Sequence, residues 1–179
     1  MARGVLIAIA KVTMIKLSNI LVATDFGPAS ESALNYGREF ARTFSATLHV
    51  LHVVENPMVW GGQEAVGVDF VRLQADLEAG ARNTLDRLVP REDREQLKAV
   101  TVVRTGNGPA FEIARYARDA AADVIIMGTH GRGFVSHMLM GSVAERVVRI
   151  APCPVLTVRH PEHEFVLPDA LQVVEKSRR

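Results

Sequence analysis

The sequence has a single cysteine, so no disulfide can form within the chain. Cys153 lies in "APCPV", between two prolines and against an apolar stretch. It reads as a small buried hydrophobe, with no partner at metal-ligand spacing, and a reducing cytoplasm is the expected compartment. Long hydrophobic runs are also lacking. The apolar run 5–10 is far shorter than the roughly 20 residues of a membrane span, so no membrane association is expected. Arg3 precedes that run and Ala8-Ile9-Ala10 follows the form of a cleavage triplet, yet the run is too short for the apolar core of an export signal. Met14 gives the simpler reading: translation starts there, leaving residues 1–13 as a disordered extra within an N-terminal extension, residues 1–16, ahead of a domain over 17–159. Charge of one sign is lacking too. Lys and Arg number 21 against 20 Asp and Glu, a net charge of +1, which leaves no strong field to draw nucleic acid.

What is present is ordinary globular composition, 48% hydrophobic and 23% charged over 179 residues. That is enough for one domain with a real core. "NILVATDF" (19–26) is a short apolar run ending in an acid, the pattern of a buried strand. In residues 28–44, Ala33, Gly37, Phe40, Ala41 and Phe44 recur at helical spacing behind Pro28, which suits a first turn. "TLHVLHVVE" (47–55) is a second strand, and its His49 and His52 read as satisfied strand histidines. Residues 56–69, with the only tryptophan, form a long loop. Phe70, Leu73, Leu77, Ala81, Leu85 and Leu88 mark a second helix. "REDREQ" reads as a solvated charged turn. "AVTVVRTG" (99–106) is a strand, Ala110, Ile113, Ala114 and Ala117 a helix, "DVIIMG" (123–128) a strand, Val143, Val147 and Ile150 a helix, and "PVLTVR" (154–159) a fifth strand. Residues 160–179 are a polar tail with a short helix expected at 168–176. Strands alternating with helices predict a parallel α/β sheet covered on both faces.

In such sheets ligands bind beyond the carboxyl ends of the strands, where strand order reverses. If strands one and four are neighbours there, Asp25 faces the stretch "GTHGRGFVSHMLMGS" (128–142) across a crevice. Its glycines can form a nest of main-chain N–H groups around an anion, Ser142 opens a helix whose first N–H groups are free, and Arg132 adds a cationic fork. The plainer alternatives are that Gly131 and Gly133 only permit turns, that Ser142 is only an N-cap, that Asp25 caps a helix, and that Arg132 is a surface charge. His130 and His137 have no ligand cluster for zinc. No GxxxxGK[ST] is present, and Gly131-Arg132-Gly133 does not complete a GxGxxG because Ser136 stands at the third position.

"GTHGRG…MGSVAERVVRIAPCPVLTVR", "NILVATDF" and "LHVVE" resemble the universal stress protein family over about residues 17–159. The spacing G-x2-G-x9-G-[ST] is similar to the nucleotide-binding pattern of its ATP-binding branch. The resemblance implies a Rossmann-like five-stranded sheet ordered 3-2-1-4-5 and a homodimer paired through the edge strand 155–158. It implies an adenine-nucleotide ligand (ATP, ADP or AMP) with Mg²⁺. Asp25 would lie near ribose and metal, and the Val53 backbone near adenine. Gly128, Gly131, Gly141 and Ser142 would lie at the phosphates, with Val143 supplying the next helical N–H; His130, Arg132 and Gly133 share that loop. The function expected is a nucleotide-dependent regulatory protein acting on an unidentified protein partner. The alternatives are a slow ATP hydrolase, for which the sequence offers no clear base, and a dimeric scaffold with an empty loop.

Overall fold

The computed structural model describes residues 15–59, 69–129 and 140–160. Five strands alternate with helices: β1 (Asn19–Ala23), α1 (Pro28–Phe44), β2 (Thr47–Glu55), α2 (Phe70–Leu88), α3 (Arg91–Gln96), β3 (Val100–Gly106), α4 (Pro109–Asp119), β4 (Val124–Gly128), α5 (Ser142–Ile150) and β5 (Val155–Val158). The sheet is parallel throughout and ordered β3-β2-β1-β4-β5. Strands one and four are therefore neighbours at the reversal, as expected. The expected short helix at 168–176 lies outside the described residues. Among the described residues no helix is long and apolar enough to cross a membrane.

Each strand's period of two divides the core. Ile20 and Val22 of β1, Val50 and Ile126 pack against Ala33, Leu34 and Ala41 of α1 and Leu85 of α2. Leu21 and Ala23, with Leu51, Ile125 and Met127, pack against Ile113 and Ala117 of α4 and Val147 of α5. Central β1 is apolar on both faces because both are covered: Ile20, Leu21 and Val22 expose nothing to solvent.

One expectation is overturned. "REDREQ" is a helix, α3, and not a solvated turn. Its Glu92 and Asp93 favour the first turn. Arg91–Glu95 (2.6 Å) and Gln96–Glu92 (3.1 Å) pair at i,i+4. Asp93 is buried, and Arg38 Nε of α1 donates to its Oδ2 at 2.8 Å. The same guanidinium donates to Leu88 O (2.8 Å) and Asn35 Oδ1 (3.1 Å), fastening α1 to the end of α2 and to α3.

Both strand histidines have partners, as expected. His49 Nδ1 lies 2.9 Å from the Tyr116 hydroxyl, and His52 Nδ1–H donates to Thr24 O at 2.8 Å. Burial holds the His49 pKa below the ordinary 6.5. The neutral form is favoured in the fold, so the stability it supports is complete above about pH 6.5. As pH falls through that value the unfolded chain takes up a proton before the folded one does, and stability declines until the folded pKa is reached. Between pH 7.5 and pH 5.5 the urea midpoint should fall more for the wild type than for His49→Gln; equal falls would assign the pH dependence to other groups.

Candidate functional site

The turn after β1 is tightly bonded. β1 stops at Ala23, so Asp25 lies in the turn and not on the strand. Phe26 N–H donates to Thr24 Oγ1 (3.0 Å), Ser30 Oγ donates to Gly27 O (2.9 Å), and the two hydroxyls meet at 3.0 Å. Asp25 Oδ1 accepts the Gly27 N–H at 3.0 Å, while Oδ2 is buried. The N-cap of α1 is Gly27, with no side-chain cap, so Asp25 closes a turn and does not cap the helix. Phe26 has a backbone φ of 65°, in the left-handed region. Its ring stacks on His52 with centroids 4.2 Å apart. The hydrogen bond to Thr24 O places the His52 proton on Nδ1. Sequence reasoning missed this Phe26–His52 wall; the one signal was a half-buried histidine within an apolar strand.

Across the switch point, β4 ends at Gly128 as expected. A Cβ there would stand 2.9 Å from the Ala29 carbonyl carbon and 3.0 Å from Ser30 N, so the glycine lets the start of α1 approach β4. Thr129 N–H donates to Val158 O (2.8 Å), and Gly141 N–H donates to Thr129 O (2.6 Å). Thr129 and Gly141, on either side of residues 130–139, therefore meet at one point. His130, Gly131, Arg132, Gly133 and His137 lie outside the described residues.

The N-cap of α5 is Gly141, with φ −70° and ψ 152° and no side-chain cap. Ser142 is the first helical residue and is not the cap. The first helical bond runs from Glu145 N–H to Gly141 O at 3.0 Å. The N–H groups of Ser142, Val143 and Ala144 thus have no carbonyl to reach within the helix. The Gly141 N–H, by contrast, is committed to the loop's base.

This helix end opens into a cleft of about 570 Å³, within the range of small-molecule sites. Ser142, Val143 and Arg146 form one wall, Asn107 to Ala110 at the start of α4 another, and Glu55 closes it from β2. The N-cap of α4, Gly108, also lacks a side-chain cap. Val53 precedes Glu55 by two and so faces the same side of the sheet; Val53, Met140 and Val143 each pack against the α4/α5 core. Ser142 and Val143 thus line the cleft, while Val53 lies on the same side of the sheet beneath it without lining it. Asp25 and Gly128 do not line the cleft. A smaller hollow of about 260 Å³ between α1 and α2, lined by Thr24, Phe26 and Arg87, holds none of the predicted residues. Among the described residues no three His, Cys, Asp or Glu side chains gather as a metal site. Burial and the nearby Asp123 charge raise the Cys153 pKa, which keeps the thiol protonated and unreactive.

The universal stress protein family model matches residues 16–159. Universal stress protein MJ0531 of Methanocaldococcus jannaschii is 32% identical over 157 residues, spanning 81% of this chain and 84% of that protein. The solved structure of MJ0577, from the same organism, superposes with a TM-score of 0.70 at 28% identity, over 82% of this chain and 98% of that one. A universal stress protein from Archaeoglobus fulgidus, solved in complex with dAMP, shares the fold with a TM-score of 0.52 at 20% identity, over 81% of this chain and 99% of that one. With a family match over most of its length and the same sheet order, the chain belongs to the universal stress protein family.

Proposed function

We propose that the chain binds an adenine nucleotide at the carboxyl ends of β1, β2 and β4 and acts as a nucleotide-dependent regulator. The observation that carries this reading is the first turn of α5, which has no side-chain cap and whose Ser142 and Val143 line a cleft beside Glu55 at the end of β2. Phosphate oxygens suit the N–H donors of such a turn. Charge-assisted hydrogen bonds contribute roughly 1.5–3 kcal/mol each, whereas the helix dipole adds about 0.3–1 kcal/mol, so the amides dominate affinity. The dAMP complex of the Archaeoglobus fulgidus protein supports the ligand class.

In this reading adenine lies against β2 at Val53 and ribose near Asp25. The phosphates meet Ser142, Val143 and the glycine loop with Gly128, His130, Gly131, Arg132, Gly133 and Gly141. A magnesium ion fits only with the nucleotide, because Asp25 supplies one carboxylate and Mg²⁺ takes the rest of its shell from phosphate and water. Its contribution would be to neutralise phosphate charge. Among the described residues Val155–Val158 is the last strand of the sheet, and an edge strand suits pairing with a second copy in a homodimer. Nucleotide binding would change a surface read by a protein partner in the cytoplasm. Calorimetric titration with ATP, ADP and AMP, at up to millimolar levels with magnesium, tests the reading. Saturable heats and a raised melting temperature are expected; flat heats with an unshifted melt would contradict it.

A further inference from the structure

We propose that Arg146 is the residue that selects nucleotides with more than one phosphate, resting on the adenylate reading above. Ser142 and Arg146 are four apart on α5 and so share a helix face; both line the cleft with Val143. The Arg146 Cα is about 6 Å further along the axis than that of Ser142. Helical side chains lean toward the N-terminus, the end of α5 that carries the amides. A single phosphate on the first turn is served by those amides. A longer tail extends into the cleft, where the other charges are unfavourable or committed. Glu55 adds a negative charge to the lining. Glu145 is paired with Arg149 at 2.7 Å, so that arginine is engaged. Arg146 has no carboxylate partner among the described residues. Its guanidinium lies 5.3 Å from the centroid of the Phe111 ring, an exposed side chain on α4. A ring-face contact positions a guanidinium and leaves its N–H donors for phosphate oxygens. Phe111 is thus a positioning residue, and Arg146 a specificity determinant that contacts the ligand.

The test compares AMP, ADP and ATP binding, with magnesium, in the wild type, Arg146→Gln, Arg146→Lys and Phe111→Leu. Arg146→Gln should weaken ATP by about tenfold or more and leave AMP within about twofold, reducing the ATP-to-AMP preference. Arg146→Lys should restore part of that preference, since the charge remains while the fork is lost. Phe111→Leu should reduce it less than Arg146→Gln does. Arg146 and Phe111 are exposed, so the melting temperature of each variant serves as the folding control. Equal losses for AMP and ATP, or no loss in a wild type that binds both, would overturn the role of Arg146 alone. A wild type silent to all three nucleotides would overturn the adenylate reading itself.

Discussion

Valine in place of Gly141 should abolish adenylate binding at a cost of only about 1 kcal/mol to the ligand-free fold, valine being a poorer N-cap than glycine. The backbone at 141 is extended, φ −70° and ψ 152°, a conformation open to any residue. The residue makes no side-chain cap that substitution could remove, and its N–H bond to Thr129 O survives any side chain. A branched side chain at this N-cap would stand at the mouth of the first turn. Losing two charge-assisted bonds there, about 3 kcal/mol, weakens binding by more than about 100-fold. Gly128→Ala should instead destabilise the ligand-free protein. Its Cβ would stand 2.9–3.0 Å from the backbone of α1, which cannot rotate away. Stability should therefore fall by about 1–3 kcal/mol. Calorimetry and thermal melts on both variants separate the two roles. Light scattering adds the third reading: a dimer that persists in Gly141→Val keeps assembly distinct from the ligand loop, whereas joint loss of dimer and binding would make the loop structural.

Arg38→Met should strongly destabilise the α1/α2/α3 layer. The Arg38 side chain is 19% exposed and that of Asp93 8%. Removing the arginine leaves a buried carboxylate without its counter-charge and strips the donor from Leu88 O. Breaking such a pair costs about 3–5 kcal/mol; for a chain of this size, about 3 kcal/mol lowers the melting temperature by roughly 6–12 °C. Arg38→Met with Asp93→Leu should regain most of the loss, because two apolar groups leave no buried charge. Chemical denaturation of both variants checks this. A single variant within about 1 kcal/mol of the wild type would class the pair with ordinary surface ion pairs.

The strands are legible in the sequence because their signals are local and periodic. Buried central strands read as apolar runs in "NILVA" and "VIIM", and the helices declare one apolar face each. The charged and amide side chains of "REDREQ" carry no such period. What makes α3 a packed helix is Arg38, 55 residues from Asp93, and sequence spacing cannot reveal that contact. The same limit hides the Phe26–His52 stack and the Arg146–Phe111 pairing, each of which joins two elements. At the site, the opening of α5 at Ser142 and the end of β4 at Gly128 can be read from the residues themselves. Two finer points depend on backbone geometry: Gly141 holds the cap position, and the missing side chain at 128 makes room for α1. Composition cannot tell a glycine needed for packing from one needed for ligand approach.

The central claim is that the first-turn amides of α5 hold phosphate oxygens, and main-chain NMR reads those amides directly. In a ¹⁵N-labelled sample titrated with magnesium ATP, the N–H signals of Ser142, Val143 and Ala144 should shift strongly and saturate together. Adenosine alone should leave them nearly in place. If ATP binds while these three signals stay still, the phosphates are held elsewhere and the account is contradicted.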